Sequence, residues 1–265
     1  MYPGRRCRER NNKNGETSVR LLICAGGTGG GVYPALAVHS ALRAIQPDVE
    51  TLWVGGEGGM EAGLVERAGI PFKAIPAAGV HGVGIKRLPG NLLSLARGAQ
   101  ASGAILSGFR PDVLFFTGGY VAAPMALAGR KIPSLLYVPD VEPGLALKML
   151  ARFSQRITVT SEDSKQFFPG KANVVVTGYP TRAELSRWTR ETAREKLGLQ
   201  SDLPVLLVFG GSKGARSINM ALLEHLSSLL GMVEIIHISG ELDWDTVDAA
   251  RQGLPEELSK RYHAY

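Results

Sequence analysis

Ile23-Cys24-Ala25-Gly26-Gly27-Thr28-Gly29-Gly30-Gly31-Val32-Tyr33-Pro34 joins an apolar run, Val19 to Ala25, to a helical pattern beginning near Pro34. The join is almost entirely glycine. Glycine admits positive φ and lets a ligand approach backbone N–H groups, while a following helix adds unpaired donors and the positive end of its dipole. The chemistry predicted for such a turn is binding of a phosphate or another oxygen-rich anionic group. A second turn of this kind, Gly210-Gly211-Ser212-Lys213-Gly214-Ala215-Arg216, follows the apolar run Val205 to Phe209 and opens another helix. Two such units so far apart predict two α/β halves facing one cleft.

The 265-residue chain has length enough for two domains, and with 45% hydrophobic residues and 33 glycines it can bury a core and still turn often. No apolar run reaches the roughly 18 residues of a membrane span and no secretory h-region follows the start, so a cytoplasmic protein is expected. Cys7 and Cys24 are the only cysteines, which suggests neither a disulfide framework nor a zinc site, and no metal or cofactor is expected. Three of the six net positive charges lie in Met1 to Ser18, a tail with almost nothing apolar, read as a disordered extension rather than a nucleic-acid arm.

Downstream, a helix from Pro34 to Ile45 has apolar residues at Leu36, Ala37, Ala41, Leu42 and Ile45. Strands are expected at 51–54, 72–75, 112–116, 134–138, 156–160 and 173–176, with helices at 60–68, 91–107 and up to 151. This alternation predicts a parallel sheet of about seven strands, with the first domain at 19–178. Residues 179–201 read as a connection. The remainder, 202–265, offers strands at 205–209 and 233–238 and helices at 217–230 and 244–251. Two strands are too few for an ordinary doubly wound sheet, so this half is expected to be a partial domain.

The dinucleotide fingerprint G-x-G-x-x-G fails, because its last position is Val32 counted from Gly27 and Pro34 counted from Gly29. Gly210 to Arg216 also lacks the Gly-Lys-Ser/Thr ending of a Walker loop. Taken together, Ala25 to Gly30 with Val32-Tyr33-Pro34 and Ala37, Gly118-Gly119-Tyr120-Val121, Gly178-Tyr179-Pro180-Thr181-Arg182, Gly210 to Asn219, and His237-Ile238-Ser239-Gly240 resemble, in order, the MurG family. These enzymes transfer N-acetylglucosamine from UDP-GlcNAc to a lipid-linked muramyl-pentapeptide at the inner face of the plasma membrane, in peptidoglycan synthesis. The resemblance implies a GT-B architecture of two Rossmann-like domains, the second truncated here. It implies that Gly27, Thr28, Gly29, Gly30 and Gly31, with Gly118, Gly119 and Tyr120, hold the acceptor pyrophosphate. Gly211, Ser212, Gly214 and Arg182 would then serve the donor diphosphate.

Inverting transfer requires a base for the attacking hydroxyl and neutralisation of the departing UDP. The family's histidine after Gly-Thr-Gly-Gly is Gly31 here, and its His-Glu-x-Asn after the fifth strand is replaced around Val138-Pro139-Asp140-Val141-Glu142. Asp140, Glu142 and His81 remain as alternatives for the base, whereas His39, within a helix, is expected to be structural. Leu92, Leu93, Leu95 and Ala96 with Lys86, Arg87 and Arg97 form either a contact with an anionic membrane surface or an ordinary core-facing helix. An alternative is an acceptor-binding or membrane-recruiting subunit that needs a separate donor-binding chain. A related transferase with another sugar nucleotide or lipid is the third reading.

Overall fold

The computed structural model describes residues 18–77, 88–170, 172–199, 202–211 and 214–265. These fall into two units, the first ending at Leu185 and the second running from Ser186 to Tyr265. The segment 179–185, read above as part of the connection, packs with the first.

The first unit runs β1 (Arg20–Ala25), α1 (Gly29–Ile45), β2 (Glu50–Gly56), α2 (Glu61–Arg67), β3 (Phe72–Ile75), α3 (Leu88–Phe109), β4 (Val113–Gly118), α4 (Ala122–Ala128), β5 (Ser134–Val138), α5 (Leu145–Ala151), β6 (Arg156–Val159) and β7 (Val174–Val176). Its seven strands are all parallel, in the order β3-β2-β1-β4-β5-β6-β7. A strand alternates its side chains between two faces, and β1 is buried on both. Leu22 and Cys24 join Leu106 of α3, Met125 of α4 and Leu150 of α5. On the other face Leu21, Ile23 and Ala25 join Val32 and Ala35 of α1 and Val65 of α2. The order reverses between β1 and β4, and in such sheets ligands bind at the carboxyl ends of the strands flanking that switch point.

α1 begins at Gly29, five residues before the proline that the sequence reading took as its start, and Pro34 lies inside it. Pro at a helix's first turn is only a preference. Here the glycines themselves close a helical turn, Gly31 N and Val32 N donating to Thr28 O at 3.2 and 3.3 Å. α4 has no clear helical signal in the sequence, because Ala-Ala-Pro-Met-Ala-Leu-Ala is short and carries a proline.

The second unit contains α6 (Arg190–Leu197), β8 (Val205–Phe209), α7 (Arg216–Glu224), α8 (Leu226–Leu230), β9 (Glu234–Ile238), α9 (Trp244–Gln252), α10 (Glu256–Ser259) and β10 (Tyr262–Ala264). The two strands expected are three, parallel, in the order β10-β9-β8. Tyr-His-Ala is too short and polar to announce β10. It is a strand because Tyr262, His263 and Ala264 pair with Ile235, Ile236 and His237 of β9. The single helix expected over 217–230 breaks at His225 into α7 and α8. The core gathers Leu222, Leu226, Leu230 and Val247 against Ile235, Tyr262 and Ala264.

Candidate functional site

Three loops meet at the carboxyl end of the first sheet. Gly26, after β1, is so close to Gly119, after β4, that a Cβ on Gly119 would lie 2.5 Å from Gly26 O. Gly119 has φ +85° and Gly118 φ +112°, conformations that L side chains rarely adopt. Within the first turn of α1, Thr117 Oγ1 donates to Gly31 O at 2.7 Å, and a Cβ on Gly31 would stand 3.3 Å from Thr117 O. The residue that departs from the family pattern is thus buried against the β4 backbone. Thr28, in extended conformation at the N-cap, makes no side-chain capping bond. The foremost amides of α1, at Gly29 and Gly30, therefore have no side-chain cap and stand at the positive end of a 17-residue helix.

The third loop follows β2, and a residue the sequence reading missed ties it to the first. Glu61, 1% exposed at the start of α2, accepts from Gly27 N at 3.2 Å and from Gly56 N at 2.8 Å. An acidic residue opening a helix after Gly-Gly-Glu-Gly-Gly was the available signal, but periodicity does not reveal burial. Trp53 Nε1 donates to Ala25 O at 2.9 Å and fixes the end of β1. Burial, with the Glu61 charge, pushes the Cys24 thiol far above its ordinary value, so it is an inert core group.

In the second unit Gly211 and Gly214 have φ of +87° and +77°, and Gly214 N donates to Gly211 O at 3.1 Å. A Cβ on Gly214 would overlap Ser239 O. Behind this turn lies a buried polar network. Asn219 Nδ2 donates to Ser239 O and to Asp243 Oδ2, both at 2.9 Å, and Asn219 Oδ1 faces His237 Nε2 at 3.0 Å. His237 Nδ1 lies 2.8 Å from the Tyr262 hydroxyl, and Arg216 Nη1 reaches Asp243 Oδ1 at 3.2 Å. Because Asn219 Oδ1 can only accept, His237 carries its proton on Nε2 and Nδ1 accepts from Tyr262. Burial raises the Tyr262 phenol to about 12, which keeps it a neutral donor.

Burial lowers the His237 pKa from its ordinary 6.5. The unfolded chain therefore binds more protons, and this contribution to stability is complete above pH 6.5 and is lost as pH falls from there through the folded value. Hydrogen exchange of β9 amides is expected to quicken from pH 7.5 to 5.5 after correction for intrinsic rates. His237→Gln should flatten that dependence; an equally steep profile in the variant would assign it elsewhere.

Of the alternatives for the base, Asp140 and Glu142 are exposed after β5. Glu142 Oε1 pairs with Lys148 Nζ at 3.5 Å, whereas Asp140 joins no ion pair among the described residues. His81 and Ser212 lie outside the described residues, as do Lys86 and Arg87. Tyr120 is 53% exposed beside Gly119. Arg182 belongs to the first unit, its guanidinium 5.3 Å from the centre of the Tyr33 ring at the start of the second turn of α1. His39, further along α1, lines a cavity of about 800 Å³ with Thr51 and with Arg182 itself. Among the described residues no helix is long and apolar enough to cross a membrane.

Residues 21–159 match the model of the glycosyltransferase family 28 N-terminal domain. A protein of Roseiflexus sp. (strain RS-1) named UDP-N-acetylglucosamine--N-acetylmuramyl-(pentapeptide) pyrophosphoryl-undecaprenol N-acetylglucosamine transferase is 40% identical, over 95% of this chain and 66% of its own length. A relative of the same name from Bacillus pumilus is 35% identical over 91% of this chain and 67% of its own length. The crystal structure of Acinetobacter baumannii MurG superposes with a TM-score of 0.64 at 28% identity, covering 93% of this chain and 67% of that one. UDP-GlcNAc 2-epimerase of Neisseria meningitidis, at 15% identity and a TM-score of 0.61, shares the fold. The chain spans 62–66% of the length of the Roseiflexus, Desulforudis and Desulforamulus relatives.

Proposed function

The chain belongs to glycosyltransferase family 28, to its MurG branch, with the GT-B class of α/β fold, and from that premise we propose that it takes part in transfer of N-acetylglucosamine from UDP-GlcNAc to undecaprenyl-pyrophosphoryl-MurNAc-pentapeptide. The observation that carries the reading is the pair of glycine turns, one per unit, placing Gly27 in one and Gly211 and Gly214 in the other at positive φ between a parallel strand and a helix. In this reading residues 19–178 bind the acceptor and 202–265 contribute to the donor site. The turns at Gly27 to Gly31 and Gly118 to Tyr120 hold the acceptor pyrophosphate, and the turn at Gly211 and Gly214 offsets the charge of the departing UDP.

The acceptor hydroxyl oxygen bonds to the anomeric carbon of the donor sugar, the bond from that carbon to the phosphate oxygen breaks, and the hydroxyl proton passes to a base. Asp140, exposed just after β5, is the group we assign to that task. The enzyme works peripherally on the inner face of the plasma membrane, where Leu93, 52% exposed on α3, and Arg97 contact anionic lipid.

Calorimetric titration tests the donor half: UDP-GlcNAc and UDP are expected to bind saturably and NAD not at all. Binding of NAD alone would overturn the reading. On anionic vesicles carrying the lipid acceptor, Asp140→Asn should abolish turnover with both affinities kept; an unaffected rate would remove Asp140 from the chemistry.

A further inference from the structure

We infer that Glu61 is a positioning residue for the acceptor loop, clamping the turn after β1 to the turn after β2 and thereby deciding which amides of the first turn are left for a ligand. The inference rests on the proposed binding of the acceptor at that turn. Each oxygen of the carboxylate has its own backbone partner, Oε1 taking Gly56 N at 2.8 Å and Oε2 taking Gly27 N at 3.2 Å. The side chain is 1% exposed, and among the described residues it joins no ion pair with a lysine, arginine or histidine. Backbone amides thus hold it, a charge-assisted arrangement that is strong because it is buried.

The neighbouring glycines leave room for this clamp. A Cβ on Gly26 or Gly59 would overlap the Glu61 carboxylate, and one on Gly55 would stand 2.8 Å from its Cγ. Gly26, part of the glycine join that the sequence offers to a ligand, is thus with Gly59 space for a carboxylate from behind, and Gly55 clears both Glu61 and the Phe72 ring. Gly27 itself is exposed, with φ +86°, and a methyl placed on it would meet nothing within 4 Å. Its N–H nevertheless points back to Glu61, so Gly27 holds the turn while Thr28, Gly29 and Gly30 supply the outward amides.

The charge gives the inference a sign that separates geometry from electrostatics. A carboxylate behind an anion-binding turn repels the anion, so removing the charge alone would tighten binding. Removing the clamp loosens the turn and weakens it. Glu61→Gln does both, because its amide nitrogen cannot accept from whichever of Gly27 N and Gly56 N it faces.

The clamp effect is expected to win, with a soluble short-prenyl analogue of the lipid acceptor binding about tenfold more weakly to the variant and UDP binding unchanged. In the ligand-free variant whichever of the Gly27 and Gly56 amide protons faces the new amide nitrogen should move upfield and exchange about tenfold faster, with the rest of the spectrum kept. Glu61→Asp, which is one methylene shorter, should lose one of the two bonds while keeping the repulsive charge, so it should bind the analogue at least as weakly as the glutamine variant, and it carries the test if that variant does not fold. Unchanged or tighter analogue binding with a native spectrum would overturn the inference. If the wild-type chain binds no analogue, the acceptor reading fails and the positioning role falls with it, while the amide signals still report the clamp itself.

Discussion

Asn219→Ala is expected to cost the second unit about 3–5 kcal/mol, the range for breaking a buried, partly charged hydrogen-bond network. The side chain is fully buried and makes three bonds, to Ser239 O, Asp243 Oδ2 and His237 Nε2. Alanine leaves all three partners in place without a substitute, in a space too well shielded for each to find water. Asp243 suffers most. It is 5% exposed, and its remaining ion-pair partner, Arg216, has a side chain 78% exposed, so screening limits what that pair returns. The loss should also reach the donor turn, since Ser239 O lies against Gly214. Hydrogen exchange resolved by segment is the measurement, because two units need not unfold together. Protection of β8, β9 and β10 should collapse while β1 and β4 keep theirs, with UDP binding lost. Protection within about 1 kcal/mol of wild type would show that water replaces the amide.

Much of this was legible before the fold was known, and the parts that were not share a cause. The β1 run Leu-Leu-Ile-Cys-Ala announced a strand buried on both faces, because only such a strand needs an unbroken apolar sequence, and the glycines after it announced a turn with special backbone freedom. Both are local properties. What Gly26, Gly55 and Gly119 make room for is not local. Gly26 adjoins Glu61, Gly55 adjoins Phe72 and Gly119 adjoins Gly26, contacts across 35, 17 and 93 positions of the chain that no periodicity records. The same holds for Asn219 and His237. The motif Ser217-Ile218-Asn219 and the strand ending His237-Ile238-Ser239-Gly240 were read as separate marks, yet the asparagine is what joins them. Expecting α1 to start at Pro34 erred for a related reason. Glycine's cost in a helix, about 1 kcal/mol each, argues locally for a loop, and it is offset by the close approach of Gly31 to Thr117 that the missing side chain permits.

Gly119→Ala is expected to reduce acceptor-analogue affinity about a hundredfold, well beyond its effect on stability. Two penalties coincide at this position. The residue has φ +85°, which costs an L side chain about 1–2 kcal/mol. Its new Cβ would also stand 2.5 Å from Gly26 O and 3.2 Å from Gly26 C, which are backbone atoms and cannot rotate away as a side chain would. Relief therefore requires the turn after β4 to part from the turn after β1, the two sides of the crevice at the switch point of the sheet. Gly198→Ala separates the penalties. Gly198, at the end of α6, has φ +68°, and a Cβ placed on it would meet nothing within 4 Å, so it bears the backbone strain alone. It should lose about 1 kcal/mol of stability and no acceptor affinity. Equilibrium binding of the short-prenyl analogue, beside urea unfolding of both variants, distinguishes the cases. Equal affinity in Gly119→Ala and wild type would mean that the two turns can separate without disturbing the ligand, and the acceptor would then have to be placed elsewhere on the first unit.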